Sequence, residues 1–288
     1  MINSPIQKKY FQNQTIYIKR DDLLSKEFSG NKARKFAYFL NHDFPKVKQI
    51  VSYGSNQSNA MYSLSVLAKL KAWKFEYYVT HIPDYLEQNP HGNYKYALEN
   101  GMQLIVEDEK PLKKRVENKE VLFIEEGGRE AYAEYGLQKL VQEIEAWQKE
   151  QGFEFINIFL PAGTGTTALY LQKNSKNKVY TVPCVGDEIY LKEQFKMLED
   201  NEVFYPRIIR PSKKRHFGKL YRESYNIWLK LQANMGIEFD LLYDAHGWLT
   251  LLENPHIFEK PVLYIHQGGL IGNESMLARY KRKYDENI

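Results

Sequence analysis

Two features of this chain could do chemistry: a lysine at the expected start of a helix, and a run of glycines and threonines behind a strand. The lysine is Lys32 in "FSGNKARKFAYFL", residues 28–40. If a helix begins near Lys32, then Lys32, Phe36 and Leu40 share one stripe at spacings of four, and Arg34 lies on the opposite face. One amine is thereby expected to face inward. At a helix N-terminus, partly withdrawn from water, it is pushed towards its neutral form by desolvation and by the helix dipole, and neutral amines attack aldehydes. The alternative is a lysine whose stem follows the core stripe while its head stays in water.

The second feature is "FINIFLPAGTGTTALYLQ", which reads as a buried strand, a loop holding Gly163, Thr164, Gly165, Thr166 and Thr167, and a helix start. Small residues let the backbone close around a ligand, the first N–H groups of the helix are unpaired donors, and the hydroxyls add more; the pattern is a phosphate cradle. A phosphate cradle together with an aldehyde-seeking lysine points to pyridoxal 5′-phosphate, which needs an amine partner, a phosphate anchor and groups at its phenolic oxygen and ring nitrogen. A second reading stays open. Gly163, Gly165 and Ala168 fit the G-x-G-x-x-A form of the dinucleotide fingerprint, with Asp187 about twenty residues on as the ribose-binding acid, which would make the chain a nicotinamide-type oxidoreductase. A tight turn that binds nothing would look similar.

The elements that must position these residues alternate. "KQIVSY", "KFEYYVTHI", "GMQLIVED", "VLFI", "FEFINIFL", "KVYTVPCV" and "PVLYIH" are strand-like, and "AMYSLSVLAKL", "REAYAEYGLQKLVQEIEAWQKE" and "ALYLQK" helix-like. This is an α/β pattern with mostly parallel sheets, in which ligands sit beyond the carboxyl ends of strands. The loops at 54–59, 125–128, 161–167 and 266–269 are therefore the expected lining of a site.

The sequence also resembles a family. "IKRDDLL" with "SGNKARK", "YGSNQSNAM", "FIEEGGREAYAEYG", "PAGTGTT", "HFGKLY", "FDLLYDAHG" and "VLYIHQGG" are similar, in order and spacing, to segments of the 1-aminocyclopropane-1-carboxylate deaminase and D-cysteine desulfhydrase family. These are pyridoxal-phosphate enzymes of the tryptophan synthase β-like fold, fold type II. The likeness runs from about residue 16 to about residue 270. It implies that Lys32 joins the cofactor's aldehyde, that Asn59 meets the phenolic oxygen and that residues 163–167 hold the phosphate. It also implies that the hydroxyls of Ser58 and Tyr243 handle protons or substrate. Asp244 stands where the deaminases carry a glutamate at the ring nitrogen. Two departures accompany this: Asp244 is followed by Ala245, His246 and Gly247 where Gly-Lys is usual, and Gln267 replaces a threonine near the ring nitrogen. Read singly, Ser58 and Asn59 could cap a helix, and Tyr243 is one of 22 tyrosines.

The implied architecture is two parallel-sheet domains with the cofactor between them: a small domain at 39–141, and a large one from 1–38 and 142–288. The implied activity is deamination or elimination on a small amino acid, with release of an α-keto acid and ammonia, in a homodimer; a pyridoxal-phosphate-binding protein without turnover is the non-enzymatic alternative. Composition agrees with a globular chain, at 288 residues with 43% hydrophobic and 26% charged residues. The 40 basic residues nearly balance 36 acidic ones, and basic triplets such as "KKR" are scattered, so nucleic-acid binding is not expected. No signal peptide, metal motif or membrane span is read, and a cytoplasmic protein is expected. Cys184, the lone cysteine, is expected to be a small buried hydrophobe.

Overall fold

The computed structural model describes residues 3–25, 27, 28 and 30–284. Residues 1, 2 and 285–288 of the expected large domain, and Ser29 of the lysine segment, lie outside them. Among the described residues, ten strands form two sheets. The larger joins β1 (Ile6–Phe11), β2 (Gln14–Arg20), β7 (Asn157–Ala162), β8 (Lys178–Pro183), β9 (Arg207–Ile208) and β10 (Val262–His266) in the order β1-β2-β10-β7-β8-β9. The smaller runs β5-β4-β3-β6 from β3 (Gln49–Tyr53), β4 (Lys74–Val79), β5 (Met102–Val106) and β6 (Val121–Ile124). All pairs are parallel except β1 with β2, a hairpin whose turn places Gln12 and Asn13 at positive φ.

The strands β7 and β10 are buried along their whole length, as expected of parallel strands covered on both faces. One face of the large sheet packs on the helices Arg222–Met235 and Asp244–Leu252 through Trp228, Leu231, Trp248 and Leu251. The other face takes the helix Ala133–Glu150 through Leu137, Leu140, Val141 and Ile144, together with Ile158, Leu160 and Leu263. The small sheet has a separate core around Ile50, Phe75 and Tyr77, which also takes in Phe36, Phe39 and Leu64.

The expected helix from Lys32 is broken. It runs Gly30–Lys35 and resumes as Ala37–Asn41, because Phe36 leaves the helical range at φ −97° and ψ 6°. Division into a large and an inserted small unit remains our proposal, but its second boundary, expected at 141, falls inside Ala133–Glu150. Because that helix packs on the large sheet from Ala133 onward, we propose drawing the boundary before it. Among the described residues no helix is long and apolar enough to cross a membrane.

Candidate active site

The four loops named from the strand pattern all contribute to the wall of one cavity of about 680 Å³, a size suited to a cofactor with a small substrate. Lys32, Ser58, Asn59, Gly163, Thr164, Gly165, Thr166, Thr167, Tyr243, Asp244 and Gln267 all line it.

Lys32 reaches the cavity because the chain enters its short helix very close to the 266–269 loop. Gly30 has φ +68°, and a side chain there would run into the Gln267 carbonyl. The Asn31 N–H donates to that carbonyl at 3.0 Å, and the Asn31 side-chain amide donates to Gln267 Oε1 at 3.0 Å. Lys32 Nζ donates to Asn31 Oδ1 at 3.3 Å, and among the described residues no carboxylate pairs with it. Burial without a counter-charge lowers its amine from 10.5 to about 8. Arg34, on the opposite face as expected, is fully buried and ion-paired with Asp21 and Glu143.

The glycine-threonine loop joins β7 to the helix Thr166–Asn174. Gly165 sits at the helix start with φ +70°, packed against Leu191 and Phe195, so only a residue without Cβ fits. Thr164 and Thr166 hydroxyls lie 3.2 Å apart, and the buried Thr167 Oγ1 has no hydrogen-bond partner among the described residues. A buried hydroxyl without a partner beside a helix N-terminus is what a bound phosphate would satisfy, so the loop fits that group.

Ser58 caps the helix Asn59–Lys71, its Oγ accepting from Ala60 N at 3.1 Å and Met61 N at 3.4 Å. The capping reading is thus correct; Ser58 also lines the cavity, and its hydroxyl shares a hydrogen bond with the buried Tyr77. Asn59 is oriented by Asn93, whose Nδ2 donates to Asn59 Oδ1 at 2.7 Å, leaving the Asn59 Nδ2 as a donor. The Tyr243 ring packs against Gly163 and Phe217, and burial pushes its hydroxyl upwards from the ordinary tyrosine value.

Asp244 is buried, and burial drives its carboxyl well above the ordinary value, with Asp240 adding to the rise. Tyr264 Oη donates to Asp244 Oδ1 at 2.7 Å and Asp240 N to Oδ2 at 3.1 Å. His266 lies 3.7 Å away but is neutral: burial lowers it, its Nε2 donates to the Glu238 carbonyl, and its Nδ1 accepts from Gly268 N. Gln267 has both ends of its amide engaged, donating to Pro161 O at 2.6 Å and accepting from Asn31.

Sequence reasoning missed several lining residues. Lys35, three residues after Lys32, donates to the Gly127 carbonyl at 3.0 Å, and burial lowers its amine well below the ordinary value. The i, i+3 spacing was its available signal. Asp240 is buried with its carboxyl raised to about 7 by burial; its Oδ1 accepts from Leu242 N and Tyr243 N and so shapes the turn that presents Tyr243. Nothing local in the sequence marks Asn93 as the partner of Asn59. The acid that a dinucleotide site requires is not available: Asp187 is exposed, caps Glu188–Lys196 by accepting from Tyr190 N at 3.0 Å, and is not in the cavity wall.

No protein-family model matches the chain. Two curated relatives do, both named "Putative 1-aminocyclopropane-1-carboxylate deaminase". The one from Thermotoga maritima is 24% identical over 93% of this chain and 92% of its own length. The one from Pyrococcus horikoshii is 27% identical over 89% and 85%. A crystal structure of an "ACC deaminase homologue" superposes with a TM-score of 0.78 at 22% identity, covering 96% of this chain and 94% of the other. The resemblance to the 1-aminocyclopropane-1-carboxylate deaminase family read from the sequence is thereby borne out along about nine-tenths of the chain, and the fold is the tryptophan synthase β-like fold, fold type II of the pyridoxal-phosphate enzymes.

Proposed function

We propose that the chain is a pyridoxal-phosphate-dependent deaminase or lyase acting on a small amino acid of the 1-aminocyclopropane-1-carboxylate or D-cysteine type, releasing an α-keto acid and ammonia, and working as a homodimer. The observation that carries the reading is one cavity holding both a partly buried, uncompensated lysine with its amine near 8 and a glycine-threonine cradle with an unsatisfied threonine hydroxyl. The curated relatives' names support the substrate class.

Pyridoxal phosphate, when bound, supplies an aldehyde that joins amino groups covalently and a ring that accepts electrons from the carbon next to them. Lys32 is the amine for that aldehyde, since its burial keeps a usable neutral fraction near pH 8. Residues 163–167 hold the phosphate through backbone N–H groups and the Thr164, Thr166 and Thr167 hydroxyls. Asn59, its orientation fixed by Asn93, would donate its free amide proton to the phenolic oxygen. Ser58 and Tyr243 are the hydroxyls that move protons to and from the substrate; Ser58 Oγ already accepts two N–H bonds, which stabilise it when its proton leaves.

For the ring nitrogen we favour Asp244 over Gln267. Both side chains are already hydrogen-bonded at both terminal atoms, but a carboxylate can neutralise a protonated ring nitrogen where a neutral amide cannot, and a cation beside Asp244 would offset the burial that now raises it.

Borohydride treatment of cofactor-loaded protein, followed by peptide mapping, should place a pyridoxyl group on Lys32; a label on Lys35, or none, overturns the assignment. Keto-acid release on a panel of small amino acids then separates an enzyme from a cofactor-binding protein without turnover.

A further inference from the structure

Glu126 forms the stretch of cavity wall between the loop that starts at Gly54 and the phosphate cradle. A Cβ on Gly54 would lie 3.3 Å from Glu126 Oε1, and one on Gly127 would lie 3.0 Å from Thr164 Cγ2. The Glu126 side chain is partly buried, and among the described residues no hydrogen bond or ion pair engages its carboxyl. The two nearby cations are occupied elsewhere: Arg129 with Glu125 at 3.2 Å and with Gln194, Lys110 over the Tyr53 ring at 5.3 Å. Burial raises the carboxyl above its ordinary value, and the charges of Arg129 and Lys110, neither of which hydrogen-bonds it, offset that rise only in part.

An acceptor held in a cavity wall with no protein donor leaves room for a donor from the ligand, and meeting it restores what desolvation removed. On the reading given under Proposed function, on which this step rests, the substrate's α-amino group is taken up by the cofactor's aldehyde. The donor that a substrate can still offer Glu126 is then on its side chain. We infer that Glu126 is a specificity-determining residue that selects small amino acids bearing a strong donor, an ammonium or a hydroxyl, on the β-carbon. A cyclopropane offers no such donor and a thiol a weak one, so within pyridoxal-phosphate-dependent deamination of small amino acids the inference shifts the preferred substrate from those two types to ones bearing a β-ammonium or β-hydroxyl group.

The test compares 2,3-diaminopropionate, serine and alanine, in both enantiomers, by the rapid absorbance change of cofactor-loaded protein on mixing, before turnover. Wild type should bind diaminopropionate about tenfold or more tighter than alanine. Glu126→Gln should erase that preference. Its amide oxygen still accepts from a hydroxyl, so serine affinity should change by less than about threefold. Absence of the preference in wild type, or an equal loss for all three ligands in Glu126→Gln, overturns the inference. A protein that stays colourless with pyridoxal phosphate overturns the cofactor reading and this inference with it; a coloured protein lacking the preference overturns this inference alone.

Discussion

Lys32 and Lys35 stand on the same six-residue helix, line the same cavity and are both lowered by burial, yet they are held differently. Lys35 is fixed on the Gly127 carbonyl, whereas Lys32 has only the Asn31 amide oxygen at 3.3 Å and can swing to a ligand. Its lowered value sets the pH dependence. A lysine whose folded value lies at about 8 is protonated below that pH and free above it, so the rate of cofactor attachment should rise about tenfold per pH unit up to about 8 and then level off. Stopped-flow absorbance on the cofactor-free protein measures this, and a rise continuing to pH 10 would mean the amine is solvated. Lys32→Ala should keep noncovalent cofactor binding and lose the reducible bond. Asp244 allows a second residue-scale prediction. Asp244→Asn should lower keto-acid release by about tenfold or more while changing cofactor affinity far less, because an amide cannot stabilise a protonated ring nitrogen. A silent Asp244→Asn removes Asp244 from that role.

At the scale of elements, the site depends on how closely backbones approach. The entry to the lysine helix passes so near the 266–269 loop that Gly30 has no room for a methyl group, and its φ of +68° disfavours one as well. Gly30→Ala should therefore push the two segments apart, lower stability by about 1–3 kcal/mol, and cut cofactor occupancy by displacing Lys32. Urea midpoints and bound-cofactor absorbance check both effects; a variant that keeps both would mean the approach is looser than the structure describes. The same closeness explains what the sequence made legible. The strand–loop–helix signature around Gly163–Thr167 is local, so the cradle could be read from spacing alone, and so could the loops at the ends of β3, β6, β7 and β10. Continuation of the lysine helix through Phe36 could not be judged: its apolar stripe persists to Leu40, while the break comes from packing Phe36 against Phe28 and the small sheet's core. Asn93 escaped notice for a similar reason, since its partner Asn59 is 34 residues away and carries no periodic signal.

Over the whole molecule, the lysine helix is fastened to the large sheet by a buried ion network. Arg34 donates to Asp21 at 2.9 Å and to Glu143 at 2.7 Å, while Lys19 on β2 donates to the same Glu143 at 2.6 Å. Side-chain exposures are 0% for Arg34, 1% for Lys19, 1% for Asp21 and 5% for Glu143, so water cannot substitute for a missing partner. Burial alone would raise the Glu143 carboxyl, but Arg34 and Lys19 overcome it and hold the carboxyl below its ordinary 4.5. The sign follows. A depressed folded value means that this stabilisation is present above about 4.5 and fades as pH falls through the lower folded value. Removing the carboxylate while leaving two buried cations should be costly, so Glu143→Gln is expected to lose about 3–5 kcal/mol at neutral pH. Its stability should also depend less on pH below about 4.5 than that of wild type, since the group that titrates there is gone. Because Glu143 lies on Ala133–Glu150 and Arg34 sits two residues from Lys32, the variant should also take up cofactor poorly at temperatures where it is still folded. Urea unfolding at neutral and acid pH, with cofactor absorbance measured in parallel, separates the two effects. A stable variant with poor uptake would assign the network to positioning Lys32, whereas an unchanged protein would show that relaxation or entering water compensates the cations.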